Sequence, residues 1–191
     1  LSKARSKDGD ARIRQLERFI VGRTVHENFL LVQQTARLLH NLKAPRVLLK
    51  LDIAEAFDTV SWPFLLQTLR HLGFGRRWCE WVCILHSTGS TRVLVNGNPG
   101  PPIDHACGLR QGDPVSPMLF AIVNNVLHSL LQKATQAGIL HRLTLNRMAS
   151  SVSLYADDVV IFCHPDTHEL SAIRMLLDTF GNASGLRTNF L

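Results

Sequence analysis

The sequence lacks features that several classes of protein require. Aromatic residues make up only 7% of its 191 residues, and it contains one tyrosine and four cysteines. Its longest apolar run, residues 118–123, is far shorter than the ~20 residues of a transmembrane helix. It has no charged and then apolar leader, and it begins at Leu1 rather than at an initiator methionine. We therefore expect a soluble domain with no membrane contact, excised from a longer polypeptide.

The cysteines do not form a recognisable disulfide or zinc pattern. None lies in paired Cys-x-x-Cys spacing and nothing marks secretion, so we expect no disulfide framework. Cys79, Cys83 and His86 could be imagined as zinc ligands, but they fall within a tryptophan-rich helical stretch, which favours buried thiols. We interpret His164 and His168, near the fourth cysteine, as turn and helix-start residues.

Positive charge is concentrated in the first part of the sequence. The chain carries 21 Lys and Arg against 15 Asp and Glu, a formal charge of +6. The first 46 residues hold ten Lys or Arg and four Asp or Glu, so the remainder is neutral overall. A basic segment beside a neutral domain indicates either a polyanionic partner or a solvated surface helix, and charge alone favours neither.

Hydrophobic periodicity and turn residues predict short strands between helices in one domain. Apolar residues at helical spacing predict helices over residues 25–39, 62–72, 76–86, 119–130 and 167–182. Val-, Ile- and Leu-rich or alternating stretches predict strands over residues 46–53 and 91–95 and a hairpin over residues 151–163. Asn96-Gly97 is typical of a hairpin turn, and Ser116 is expected to cap the helix that Pro117 enters. This order of elements indicates an α+β domain with a small, mostly antiparallel sheet.

Acidic residues lie where two predicted apolar strands end. Asp52 ends the strand over residues 46–53, and Asp157 and Asp158 form the tip of the hairpin. Asp is also common in simple turns, so the hairpin pair alone does not indicate a site. At the end of an apolar strand, however, we expect Asp52 to be buried, which would be costly without a partner.

Three such carboxylates would need cations or raised pKa values. Two unit charges ~4 Å apart repel by about 4 kcal/mol at an effective dielectric constant near 20. Oxygen ligands without His or Cys suit Mg²⁺ or Mn²⁺ rather than zinc. A pair of these ions about 3.5 to 4 Å apart is the typical arrangement for nucleotidyl transfer, which the spacing suggests without establishing it.

Several motifs in this order resemble those of reverse transcriptases. Residues 155–158 are similar to their hairpin signature, residues 51–58 to their first catalytic strand, and residues 108–117 to the loop that leads into a helix. Further segments resemble non-LTR (LINE-type) retrotransposon enzymes, especially those of plants: residues 19–23, 72–74, 95–97 and 184–189. The resemblance extends from Leu16 to Asn189.

The resemblance implies a polymerase palm, an α+β fold in which a small antiparallel sheet packs against helices, with a partial helical fingers segment. Residues 1–15 would be a basic N-terminal extension, and residues 16–191 a reverse transcriptase domain without a thumb. The family's closing Lys would fall just after Leu191. The chain would belong to a nuclear polyprotein that also carries endonuclease and ribonuclease H segments.

The resemblance also implies the catalytic residues. Asp52, Asp157 and Asp158 would be the metal ligands for two Mg²⁺ or Mn²⁺ ions. Phe57 would be the sugar gate, since a rigid ring there can fill the space of a 2′-hydroxyl and favour dNTPs. Without the family, Phe57 could equally be a core residue.

Other residues would contact nucleotides and nucleic acid. Backbone amides of Ile53 and Ala54 would face the triphosphate. Arg110 and Gln111 would contact the incoming nucleotide and the template base pair, and Gly112 would let the backbone approach closely. Taken alone, these three loop residues indicate only a loop. Arg23 would contact a phosphate, although a single arginine is more often solvated.

Two positions depart from the family pattern. Glu55 stands where the family usually has Lys, and Cys107 replaces a basic or polar residue. We predict an RNA-directed DNA polymerase domain that uses an RNA template, a DNA primer and dNTPs. The alternatives are a degenerate or truncated retrotransposon fragment that binds nucleic acid without catalysis, and an unrelated α+β module of the RNA-recognition type, which the low aromatic content disfavours.

Overall fold

Five helices and eight strands make up the described part of the chain. The computed structural model describes residues 25–41, 43, 45–141, 152–155 and 158–189; at 25–29, 31, 153–155 and 158 it describes the backbone only. In chain order the elements are α1 (Val25–Asn41), β1 (Val47–Ile53), α2 (Trp62–His71), α3 (Arg76–Ser87), β2 (Ser90–Thr91), β3 (Leu94–Val95), β4 (Asn98–Pro99), β5 (Ile103–Asp104), α4 (Ser116–Gln136), β6 (Val152–Tyr155), β7 (Asp158–Cys163), α5 (Thr167–Ser184) and β8 (Thr188–Asn189).

A four-stranded antiparallel sheet in the order β6-β7-β1-β8 forms the centre of the fold. Strand β1 pairs with β7 from Val47 opposite Cys163 to Asp52 opposite Asp158. Side chains alternate along β1, so that Leu51 and Ile53 are buried whereas Lys50 and Asp52 are exposed. The prediction that Asp52 is buried is therefore wrong: it lies on the exposed side of a strand whose core-facing residues are its neighbours.

The core lies between the buried face of this sheet and helices α2, α4 and α5. The apolar positions that predicted these helices are those that pack there. The side chains buried there include Leu65 and Leu69 of α2, Leu119, Ile122, Val123, Leu127 and Leu131 of α4, Ile161 of β7, and Ile173 and Leu177 of α5. This confirms an α+β fold with a small antiparallel sheet packed against helices.

The region between α3 and α4 differs from its prediction. Instead of one strand over residues 91–95, β2 pairs with β5, and β3 pairs with β4. Asn96 (φ 51°) and Gly97 (φ 83°) join β3 to β4. Positive φ at both positions is the type I′ geometry that matches strand twist, so the predicted turn is confirmed.

The start of α4 shows a second difference. Val115 rather than Ser116 occupies the cap position, and its N–H donates to the Asp113 carboxylate at 2.9 Å. Asp113 thus satisfies the N–H of the cap residue itself, while Ser116 is 1% exposed as the first residue of the helix and no side chain caps the helix. No helix within the described residues is long and apolar enough to cross a membrane. The basic segment over residues 1–15 lies outside the described residues.

Candidate active site

Two of the three predicted catalytic acids are register partners. Asp52 of β1 lies directly opposite Asp158, the first residue of β7, and Asp158 also pairs with Tyr155 of β6. Directly opposed residues of antiparallel strands have Cα atoms about 4.5 to 5.5 Å apart. The sheet therefore brings together two acids that are more than a hundred positions apart in the sequence.

The third acid, Asp157, lies outside the described residues, and the side chain of Asp158 is not described. Among the described side chains, no group of three His, Cys, Asp or Glu could hold a metal ion. The predicted ligand set of Asp52, Asp157 and Asp158 thus rests on the register and on the chain order, and it stays a prediction. Arg23, the predicted phosphate contact, is also outside the described residues.

The β1–α2 loop, residues 54–60, follows Asp52 and is held on one side by the chain after α5. The N–H of Ala54 donates to the Arg187 carbonyl at 3.0 Å, and that of Ser61 donates to the Ser184 carbonyl at 2.7 Å. Gly185 (φ 84°) caps α5, and a Cβ there would overlap the Thr59 carbonyl. The C-terminal end of α5 therefore fixes both ends of the loop.

On another side the β1–α2 loop is held by the loop before α4. The N–H of Leu109 donates to the Phe57 carbonyl at 2.6 Å, and that of Gly108 donates to the Val60 carbonyl at 2.8 Å. Gly108 has φ 87°, and a Cβ on it would lie 2.6 Å from the Asp58 carbonyl oxygen. Only glycine combines this φ with such a close approach of two backbones.

Asp58 connects this frame to the predicted nucleotide-binding residues. The Gln111 amide nitrogen lies 3.5 Å from each carboxylate oxygen of Asp58, to which it donates, and Cys107 Sγ donates to the Asp58 carbonyl at 3.4 Å. Our sequence reasoning did not single out Asp58. The sequence feature that could have indicated Asp58 is a second acid six residues after Asp52, in the loop that follows the strand.

Phe57 lies between the site and the core. Its ring is half-buried and stacks on Phe120 of α4, with ring centroids 4.6 Å apart and planes inclined by 20°. Offset stacking of this kind fixes the position of a ring. Both interpretations of Phe57, gate and core residue, thus have a structural basis, because the ring is anchored in the core beside the loop.

The remaining predicted residues differ in their availability. Ile53 is 2% exposed. The Ala54 N–H donates to the Arg187 carbonyl, so this amide could reach a triphosphate only if that hydrogen bond opened. Gly112 is exposed at φ 88° with nothing within 4 Å of a Cβ position, which leaves space for a ligand beside its backbone. Glu55 is exposed and has φ 46°, a conformation that few non-glycine residues adopt.

A cavity of about 800 Å³ adjoins the Asp58–Gln111 contact. Asp52 and Phe57 are not among the described residues that line this cavity. Burial lowers the pKa of His86 in its wall, an effect to which Arg110 adds and which Asp113 opposes. The side chains that line it include Trp62, His86, Thr91, His105, Arg110 and Gln111.

Comparison with known proteins identifies the family. The family model for reverse transcriptase (RNA-dependent DNA polymerase) matches residues 9–190. The chain belongs to this family. An uncharacterized 149 kDa protein of transposon TX1 from Xenopus laevis is 26% identical to it over 171 residues, 90% of this chain and 13% of that protein. The retrovirus-related Pol polyprotein of retrotransposable element R2DM from Drosophila melanogaster is 27% identical over 166 residues, 85% of this chain and 15% of that protein.

Solved structures show the same fold. Telomerase from Candida albicans, in complex with a TWJ fragment of telomeric RNA, superimposes with a TM-score of 0.65 at 14% identity, covering 98% of this reverse transcriptase chain and 33% of the telomerase chain. Apo telomerase from Candida tropicalis, truncated from its C-terminal domain, gives 0.62 at 12% identity, with 95% and 38% covered. The predictions of a reverse transcriptase of the non-LTR, LINE type and of a palm-like fold are confirmed; the plant-like detail stays a prediction.

Proposed function

We propose that the polypeptide carrying this chain is an RNA-directed DNA polymerase that adds dNTPs to the 3′ end of a DNA primer on an RNA template. The observation that carries the proposal is the register pairing of Asp52 with Asp158 in a chain of the reverse transcriptase family. The chain spans 13 to 15% of the two retrotransposon relatives described above. Endonuclease and ribonuclease H segments elsewhere in the polypeptide, and a nuclear location, are parts of the same proposal.

Asp52, Asp157 and Asp158 would hold the metal ions. The donor set fits Mg²⁺ or Mn²⁺, because carboxylate oxygens are the ligands that these hard cations prefer and Asp52 is exposed at the sheet surface. When bound, two such ions would lower the cost of deprotonating the primer hydroxyl and neutralise charge on the phosphates. In the transfer, the 3′-oxygen bonds to the α-phosphorus as the bond to pyrophosphate breaks.

The other residues of the site would place the nucleotide. Gln111, held by Asp58, would contact the incoming nucleotide, and the open space at Gly112 would allow its close approach. Phe57, anchored on Phe120, would limit the space beside the sugar. Because the β1–α2 loop is fixed on two sides by backbone hydrogen bonds, these groups would be positioned before the substrate binds, which reduces the cost of ordering them.

Replacing either strand-end acid tests the proposal. In the full-length polypeptide with Mg²⁺, dNTPs and a primed RNA template, we expect Asp52→Asn and Asp157→Asn each to lower the primer extension rate by at least about a thousandfold. Each change keeps the size of the side chain and removes the charge that the metal ions need. The matched control is Asp178→Asn on the exposed surface of α5, which should extend the primer at the wild-type rate.

Two results would contradict the proposal in different ways. Extension that persists in Asp157→Asn would remove the metal assignment. A wild-type polypeptide that binds the primed template but does not extend it would favour the alternative, a fragment that binds nucleic acid without catalysis. The exposed Glu55, at a position usually held by Lys in the family, is the feature that makes this second result worth testing.

A further inference from the structure

A β-arm, residues 90–106, extends from the domain between α3 and α4. It contains strands β2 to β5, in which β2 pairs with β5 and β3 pairs with β4. Every residue of the arm is exposed except Gly100, which is half-buried. Isolated two-stranded pairs are at most marginally stable in water, so an arm built only from such pairs gains stability when further strands are added to it.

The β-arm exposes large apolar side chains and carries little charge. Four of these side chains are 56 to 68% exposed: Val93, Leu94, Val95 and Ile103. The arm contains one basic and one acidic residue, Arg92 and Asp104, whose charges cancel. A nucleic acid partner would require an excess of basic groups, so the arm suits a protein partner with an uncharged, apolar surface.

The two edges of the β3–β4 pair differ in the hydrogen bonds that they offer. The strand residues next to the two-residue turn form a hydrogen-bonded pair, and further along the Gly100 N–H donates to the Val93 carbonyl at 2.8 Å. Leu94 and Pro99 form the non-hydrogen-bonded pair between them, so the N–H and C=O groups of Leu94 point away from β4. That edge of β3 carries no further strand among the described residues. Pro99 has no N–H, which is typical of an edge that is closed to further strands, so the edge of β3 is the open one.

The open edge of β3 is complementary to itself. Antiparallel pairing of two identical edges about a twofold axis places Leu94 opposite Leu94 of a second copy, and the N–H of each donates to the carbonyl of the other. The same register places Val93 opposite Val95 of the second copy, and Val95 opposite Val93, as non-hydrogen-bonded pairs in which side chains are closest. The three central cross-strand pairs are therefore all apolar.

We propose that two copies of this chain associate through the β3 edges of their arms, forming one four-stranded antiparallel sheet around a twofold axis. The occupant is a second copy, because the same chain supplies both requirements of this edge, a free strand edge and uncharged apolar side chains. The contact is small, and small interfaces are weak, so the dimer is in equilibrium with the monomer. The contact lies outside the residues assigned to the proposed polymerase site and does not depend on the proposed function.

Sedimentation equilibrium of the full-length polypeptide, treated with nuclease to remove bridging nucleic acid, tests the proposal. We expect the wild type to dimerise with a Kd on the order of 10 μM. Leu94→Lys places two ammonium groups opposite each other at the twofold axis, so the Kd should rise at least about tenfold. Leu94 is 68% exposed, so this change should leave the domain folded, which urea denaturation checks. The matched control is Met175→Lys on α5, where the side chain is 65% exposed, and it should dimerise as the wild type does.

Leu94→Cys locates the contact independently. Opposed residues of a hydrogen-bonded antiparallel pair have Cα atoms about 5.5 Å apart, within the range of about 4.4 to 6.8 Å that a disulfide requires. Mild oxidation should therefore join two copies through position 94, and mass spectrometry should detect this peptide linked to its own copy. Met175→Cys should give no such linked peptide.

A wild-type polypeptide that stays monomeric up to about 100 μM would overturn the proposal, as would a dimer that Leu94→Lys leaves intact. Amide hydrogen exchange at Leu94 identifies the occupant of the edge. Protection that increases with protein concentration supports a second copy. Protection that is independent of concentration would show that another part of the same polypeptide covers the edge, and this result would also overturn the proposal.

Discussion

Asp58 links the loop after β1 to the residues proposed to bind the nucleotide. Its carboxylate accepts from Gln111, and its carbonyl accepts from Cys107 and lies against Gly108. Cys107, which departs from the family pattern, therefore contributes a hydrogen bond to this loop. The glutamine side chain is exposed, so the contact with Asp58 restricts a group that would otherwise sample several rotamers.

Substitution of Phe57 should relax the choice of sugar. In Phe57→Val the ring that stacks on Phe120 is lost, and the space beside the sugar opens. We expect the preference for dNTPs over ribonucleotides, measured as a ratio of kcat/KM values, to fall by about 10- to 100-fold.

Phe74→Val is the matched control, because Phe74 is also a half-buried aromatic residue but follows α2 and contacts Trp78. It should leave the ratio unchanged. If Phe57→Val and Phe74→Val both discriminate as the wild type does, Phe57 is a core residue and not the gate.

The position of Asp52 could be predicted from the sequence, but its surroundings could not. An acid at the end of an apolar strand is a local pattern, and the hairpin acids are another. Burial of Asp52 was predicted wrongly because seven apolar-rich residues do not reveal whether one or both faces of a strand are covered. Asp58, Trp62 and His86 acquire their roles only through contacts with distant segments.

At the scale of elements, two glycines allow segments from different parts of the chain to pack on the β1–α2 loop. Gly108 precedes α4 and Gly185 caps α5, and both have positive φ and lie against loop carbonyl groups. The loop is therefore held by segments on two sides in addition to its own turn, in which the N–H groups of Asp58 and Thr59 donate to the Glu55 carbonyl.

Replacing these glycines should be much more costly than replacing a glycine in an open turn. At Gly97 an added Cβ would have no atom within 4 Å, so Gly97→Ala should lower the free energy of unfolding only by the strain of a positive φ, about 1 to 2 kcal/mol. Gly108→Ala adds a Cβ that must displace the Asp58 carbonyl, so we expect a loss of at least about 3 kcal/mol in the free energy of unfolding. Urea denaturation of the two variants measures the difference; equal losses would show that the two loops can separate without cost.

The longer elements were predictable, and the shortest were not. Helices α2, α4 and α5 and strands β1, β6 and β7 each contain enough residues to show a period. Strand β8 has two residues, Thr188 and Asn189, and forms because Gly185 turns the chain back toward Asp52 and Ile53. Two residues have no period, so only the tertiary structure defines this strand.

At the scale of the whole molecule, a buried carboxylate holds the end of the sheet remote from Asp52. Glu169 of α5 is 3% exposed and accepts from the backbone N–H groups of His141 and His164, each at 3.0 Å. His164 Nδ1 is hydrogen-bonded to the Arg46 guanidinium at 2.9 Å. Burial, and then Glu169, raise the pKa of Cys163 to about 11, so this thiol stays protonated and unreactive.

This cluster should make stability depend on pH. Burial, followed by the charges of Arg46 and His141, lowers the pKa of His164 from its usual 6.5. Glu169 and Asp166 act in the opposite direction but do not cancel this lowering. A lowered pKa means that the unfolded chain binds a proton more readily than the folded one. The contribution of His164 to the free energy of unfolding is therefore complete above about pH 6.5 and is lost as the pH falls through its folded pKa.

Urea denaturation at about pH 7.5 and about pH 5.5 checks this expectation. The wild type should lose stability between the two values, and His164→Gln should lose less, because its side chain does not titrate. His168→Gln, at an exposed position in the first turn of α5, should lose as much as the wild type. The same loss in all three proteins would mean that protonation of His164 is not linked to folding.

The contacts that hold the β1–α2 loop are hydrogen bonds between main-chain atoms, and this determines which substitutions the loop can accept. Every residue except proline supplies the same backbone donor, so these hydrogen bonds at Ala54, Ser61 and Leu109 exclude proline and do not depend on which other side chain is present. Among the residues of this frame, glycine is required at 108 and 185. The backbone hydrogen bonds of the frame can thus persist while the exposed side chains of the loop vary, which is compatible with a shared fold at 14% identity.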